Sequence, residues 1–134
     1  MVVGAAMTGT KISLLVASLI AVLFSAIPSR ATAASVADVE IGQLLGYIEH
    51  SGCAVYRNGT WYSASSARAH LEKKYRYLLA RGLVNTTEEF MDRTATASSM
   101  SGEPYQVKCD GHAPVSSAEW LTMELQRLRY HGKP

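Results

Sequence analysis

Cys53-Ala54-Val55-Tyr56-Arg57-Asn58-Gly59-Thr60-Trp61-Tyr62 is the stretch that decides the fold. Asn58-Gly59 is the pair favoured by a two-residue type I′ turn, whose central positions both need positive φ. The flanking segments are rich in β-branched and aromatic residues, so they read as the arms of a β-hairpin. A two-residue loop sets the register: Arg57 opposite Thr60, Tyr56 opposite Trp61, Val55 opposite Tyr62. Side chains alternate faces along a strand. Cys53, Val55 and Tyr62 therefore share one face, and Tyr56 and Trp61 the other.

Upstream, Ile41, Leu44, Leu45 and Ile48 follow the i, i+3, i+4, i+7 rule and predict a helix over Val36–His50, ended by Ser51-Gly52. Downstream, Ser63 is placed to N-cap a second helix running to about Arg81 and closed by Gly82. Ala67, Leu71, Tyr75, Leu78 and Leu79 give its apolar side. Arg68, Lys73, Lys74, Arg76 and Arg81 surround the rest with Glu72 as the one acid, which reads as a solvated basic face. Thr86 and Glu89 form a capping-box pattern opening a third helix that fades after Thr94. Tyr105–Cys109 alternates like one further strand. Ser116 and Glu119, with a Val115–Trp120 staple, open a last helix to about Tyr130. The order predicts an α+β domain: a small antiparallel sheet, made of the hairpin and one further strand, packed with about four helices.

The chain has 134 residues, and its first quarter stands apart from this pattern. Lys11 precedes an apolar run, Ile12–Ile27, and Pro28 and a small-residue stretch follow, with Ala31-Thr32-Ala33 as an A-x-A site. That is the pattern of a secretory signal peptide over residues 1–33, leaving one domain over 34–134. Cleavage after Ala37 and retention as an anchor are the alternatives, but 16 residues fall short of the roughly 20 that a spanning helix needs. Lys11 and Arg30 depart with the leader. The 13 basic residues then fall to match the 11 acidic ones, and a neutral domain is not what nucleic-acid binding requires. Both cysteines, Cys53 and Cys109, lie in the remaining part, each on an apolar strand face. In an oxidising compartment an even count reads as one disulfide. His50 and His112 with the two cysteines offer a tetrahedral zinc set as the alternative, and free thiols are the third.

Arg57-Asn58-Gly59, His70-Leu71, Thr86-Thr87-Glu88-Glu89-Phe90 and Ser98-Ser99-Met100-Ser101-Gly102 with Pro104-Tyr105 follow one another in an order that resembles the YfeK-like family of small exported bacterial proteins. The resemblance spans roughly Ile41–Arg129. It implies a bacterial envelope protein, periplasmic or secreted, carrying a domain of unknown function, and it implies no activity. Glu103 stands where the family motif often has a basic residue, so no shared anion-binding role for this turn is carried over.

The candidate binding residues are Ser98, Ser99, Ser101, Gly102 and Tyr105, in a hydroxyl-rich turn able to hold an anion or carbonyl. Tyr56, Trp61 and Arg57 form a second candidate as an aromatic platform on the hairpin. No G-x-S-x-G or S-x-x-K pattern accompanies the serines. Asn58-Gly59-Thr60 and Asn85-Thr86-Thr87 match the N-glycosylation pattern by chance in a bacterial setting. The expected function is a non-enzymatic binding module, monomeric, whose partner is an envelope protein or cell-wall component. Neither cofactor nor metal, and no membrane span after cleavage, is expected. A small hydrolase using a serine of the Ser98–Ser101 turn with His70 or His112 is the alternative, and a purely structural or stress-related envelope factor a third.

Overall fold

The structure, a computed structural model, describes residues 34–132, with Val2 and Gly4. The apolar leader and the Ala33 cleavage site lie outside the described residues. Among those described, no helix is long and apolar enough to cross a membrane.

The first helix, α1, spans Val36–His50. Ser35 caps it: the Ser35 hydroxyl accepts from Asp38 N at 3.1 Å, and the Asp38 carboxylate accepts from Ser35 N at 3.0 Å. That reciprocal box had no place in the sequence reading. Cleavage at Ala37 would remove it. Gly52, at φ 67°, turns the chain into the hairpin of β1 (Ala54–Arg57) and β2 (Thr60–Tyr62). Asn58 and Gly59 have φ of 47° and 85°, as a type I′ turn requires, and the register is the expected one. The next helix, α2, covers Ala64–Leu79, two residues shorter than expected, with Gly82 at φ 66° just beyond. Leu79, placed on its apolar side by spacing, is exposed.

Thr86 caps α3 (Thr87–Phe90), but the box is not reciprocal. The Glu89 carboxylate accepts from Asn85 N, one residue upstream, at 2.7 Å. The helix then widens into a π-helical turn, Met91–Ala95, which brings Met91, Thr94 and Ala95 inside along with Phe90. Two strands follow where one was expected: β3 (Gln106–Lys108) and β4 (Val115–Ser116). The last helix, α4, spans Ser117–His131, with the Ser116 hydroxyl accepting from Glu119 N.

The sheet is four-stranded and antiparallel throughout, in the order β2-β1-β3-β4. Its register places Tyr62, Val55, Val107 and Val115 in one cross-strand row and Trp61, Tyr56, Gln106 and Ser116 in the next. Val55 and Val107 join Ile41, Leu44, Ile48, Leu71, Phe90, Leu121 and Leu125 in a single core, while Trp61, Gln106 and Ser116 are exposed. Cys53 and Cys109 are bonded to each other, next to the paired residues Ala54 and Lys108. Their sulfurs are thus withdrawn from any zinc set. His50 instead donates from Nδ1 to Gly46 O at 2.8 Å.

Candidate functional site: a basic, apolar-walled cleft

Arg57 is the last residue of β1, and alternation puts its side chain on the inner face with Cys53 and Val55 rather than beside Tyr56. It therefore points toward α2. There, Ser66, Ala67, His70, Leu71, Lys74 and Leu78 recur at helical spacing and line two adjoining hollows. The inner hollow, about 180 Å³, is walled by Val55, Tyr62, Ala67, Leu71 and Tyr105, with Arg57, His70 and Ser66 at its polar side. The outer one, about 350 Å³, is bounded by Asn58, Lys74, Tyr77, Leu78, Ser98, Ser99 and Met100. Arg57, His70 and Tyr105 border both.

Arg57 Nη1 lies 2.9 Å from Nδ1 and 2.8 Å from Nε2 of His70, and the guanidinium sits 4.8 Å from the centroid of Tyr62. That contact requires an unprotonated ring nitrogen on His70 to accept. Burial, and then the charges of Arg57, Lys74 and Lys73, hold the His70 pKa below its ordinary 6.5. Lys74 is half-buried rather than solvated, which corrects the reading of the α2 basic face at this position. Its ammonium donates to Thr94 O and Ala97 O, both at 3.3 Å, and stands 5.7 Å from the Tyr105 ring centroid. The π-helical turn supplies the first of those carbonyls. Burial, then Arg57, lowers the Lys74 pKa, and burial raises that of Tyr105. No Asp or Glu lines either hollow, and among the described residues neither Arg57 nor Lys74 has a carboxylate partner.

The serine turn forms one rim of this cleft, and its polar groups are largely spent on itself. The Ser98 hydroxyl accepts from Met100 N and Ser101 N, each at 3.3 Å, while Gly102 N donates to Ser98 O at 2.9 Å. The Ser101 hydroxyl accepts from Glu103 N and donates to Asn58 Oδ1 at 2.9 Å, tying the turn to the hairpin loop. Gly102 has φ 72°, so the turn needs a glycine there. Among the described residues no serine hydroxyl is hydrogen-bonded to a histidine.

The structure thus divides the candidates named from sequence. Arg57, Tyr105, Ser98 and Ser99 border the cleft, and Ser101 and Gly102 shape its rim. Tyr56 and Trp61 lie on the other face of the hairpin, ring centroids 5.3 Å apart, with the Tyr56 hydroxyl donating to Glu103 Oε1 at 3.3 Å. Lys74, Ser66 and Tyr62 were missed as lining residues. Spacing from His70 would have found Lys74, since residues four apart share a helix face.

Fold and site together define a small disulfide-linked α+β domain with a basic, apolar-walled cleft. Residues 35–129 match the family of unknown function DUF5329, and the chain belongs to that family. No curated protein and no solved structure matches it.

Proposed function

We propose that this domain is a non-enzymatic binding module of the bacterial envelope, and that its cleft takes up an anionic group. One observation carries the reading: Arg57, His70 and Lys74 converge on a partly buried hollow that contains no carboxylate. Gathering cations without a counter-charge costs stability through repulsion and desolvation, and such arrangements cluster where a ligand supplies the missing charge. An apolar wall with a few convergent polar groups is the usual make-up of a ligand site.

Export is supported by the leader pattern of residues 12–33, by the resemblance to the YfeK-like proteins, and by the disulfide, which suits an oxidising compartment. The partner would then be an envelope protein or a cell-wall component bearing acidic groups, met by a monomer. Titrating the oxidised protein with inorganic phosphate and with acetate tests the cleft, read by amide and side-chain NMR shifts. Shifts centred on Arg57, His70 and Lys74 are expected. Shifts spread evenly over the surface lysines and arginines would refute the reading. N-terminal sequencing of the protein recovered from the cell envelope tests export, with Ala34 as the expected first residue.

A further inference from the structure

Resting on that reading, we infer that the ligand is a carboxylate borne directly next to an apolar group, such as the free C-terminus of a peptide ending in an aliphatic residue. The carboxylate sits on Arg57 and Lys74 and the apolar group fills the inner hollow. Three observations favour this over a phosphate. First, most of the backbone amides that would cradle a phosphate are already used: Met100 N, Ser101 N, Gly102 N and Glu103 N all donate within the serine turn, leaving Ser99 N. A single remaining amide makes no phosphate cradle, so the anion is held chiefly by side chains. Second, the Arg57 guanidinium turns Nη1 to His70 and makes no other hydrogen bond among the described residues. The rest of its fork is free for the paired N–H···O geometry that suits a planar carboxylate. Third, the inner hollow opens directly beside that guanidinium and is walled by Val55, Ala67, Leu71 and two tyrosine rings. Its roughly 180 Å³ lies below the 300 Å³ or more usual for a whole small ligand, so it takes one side-chain-sized group.

Two sources carry this chemistry: a peptide C-terminus and a free branched carboxylic acid. The test titrates the oxidised protein with N-acetyl-leucine, 4-methylpentanoate, N-acetyl-leucinamide and inorganic phosphate. Calorimetry gives the affinity and NMR locates the site. N-acetyl-leucine should bind at least about tenfold more tightly than its amide and than phosphate. Equal binding of 4-methylpentanoate identifies the acid and its chain as sufficient, whereas preference for N-acetyl-leucine identifies a peptide terminus. Ser66→Trp, at an exposed position on the lip of the inner hollow, should abolish N-acetyl-leucine binding while leaving phosphate binding unchanged. Arg57→Gln should weaken both at least about tenfold, and an unaltered amide spectrum elsewhere confirms that each variant is folded. If the amide binds as well as the acid, or phosphate binds best at Arg57, the carboxylate inference fails and the anion-binding reading survives. If no anion binds at the cleft, both fail.

Discussion

Two groups of polar side chains in this domain are built on opposite principles. Between α1, α3 and α4, Glu40 is nearly buried and fully matched. It accepts from Arg129 Nε at 2.8 Å and Nη2 at 2.9 Å, and from the Thr87 hydroxyl, while Arg129 Nη1 also donates to Glu88. Between β1 and α2, Arg57 and Lys74 are like charges beside a neutral His70, and no carboxylate lines the hollows they border. The first group resembles a fastener. Glu40, largely removed from water, is tolerated because Arg129 and Thr87 meet its oxygens. The second group meets no counter-charge among the residues lining the hollows, and on that feature the proposed anion site rests.

The largest expected effect tests the fastener. Arg129→Met strands Glu40 without its cation and should lower unfolding free energy by about 2 kcal/mol in a urea melt, near the low side for a buried pair because Arg129 is half-exposed. Ligand binding at the cleft should not change. In Arg57→Gln the pattern reverses: anion affinity falls at least about tenfold, roughly 1.4 kcal/mol, while unfolding free energy stays within about 0.5 kcal/mol of wild type. If Arg57→Gln destabilises as much as Arg129→Met, the contrast between the two regions is wrong.

Acid titration separates them further. Hydrogen bonding to Arg129 holds the Glu40 and Glu88 carboxyls below their ordinary 4.5. Folded Glu40 and Glu88 therefore bind protons less readily than their unfolded forms. Their contribution is complete above 4.5 and is lost as pH falls below it. Arg129→Met should flatten this limb of the stability curve. His70 gives the smallest effect, in a different window. Its pKa is depressed, so the neutral ring stabilises the fold above pH 6.5, and stability declines as pH falls from there toward the folded-state value. His70→Gln should erase that decline. A bound anion should reverse it, because it favours the protonated ring, so affinity for acetate rises as pH drops through the same window.

The hairpin was legible from sequence because its cause is local: two adjacent residues able to take positive φ set the register of everything beside them. Helix starts at Ser63, Thr86 and Ser116 were legible for the same reason. The fourth strand was not. Val115-Ser116 is too short to show a period, and it exists only because β3 is there to pair with it. The Glu40–Arg129 pair joins residues 89 apart, a distance over which composition says nothing. The cleft was half legible. Arg57, Tyr105, Ser98 and Ser99 were named, but Arg57 was grouped with Trp61 because the two are close in sequence. Alternation already assigned Arg57 to the Val55 face. Lys74 was absorbed into a basic stripe, since charge on an amphipathic helix gives no sign of which cation the neighbouring turn will cover.

The bond between Cys53 and Cys109 has a consequence for how the protein meets proteases. It closes residues 53–109 into a covalent ring that contains the hairpin, α2, α3 and the serine turn, and so every residue proposed to hold the ligand. Met100, almost completely exposed at the tip of that turn, is the natural point of attack. A cut there opens the ring without releasing a fragment. The nicked chain gains the mass of one water, stays in one piece until a reductant is added, and keeps both walls of the cleft attached to each other.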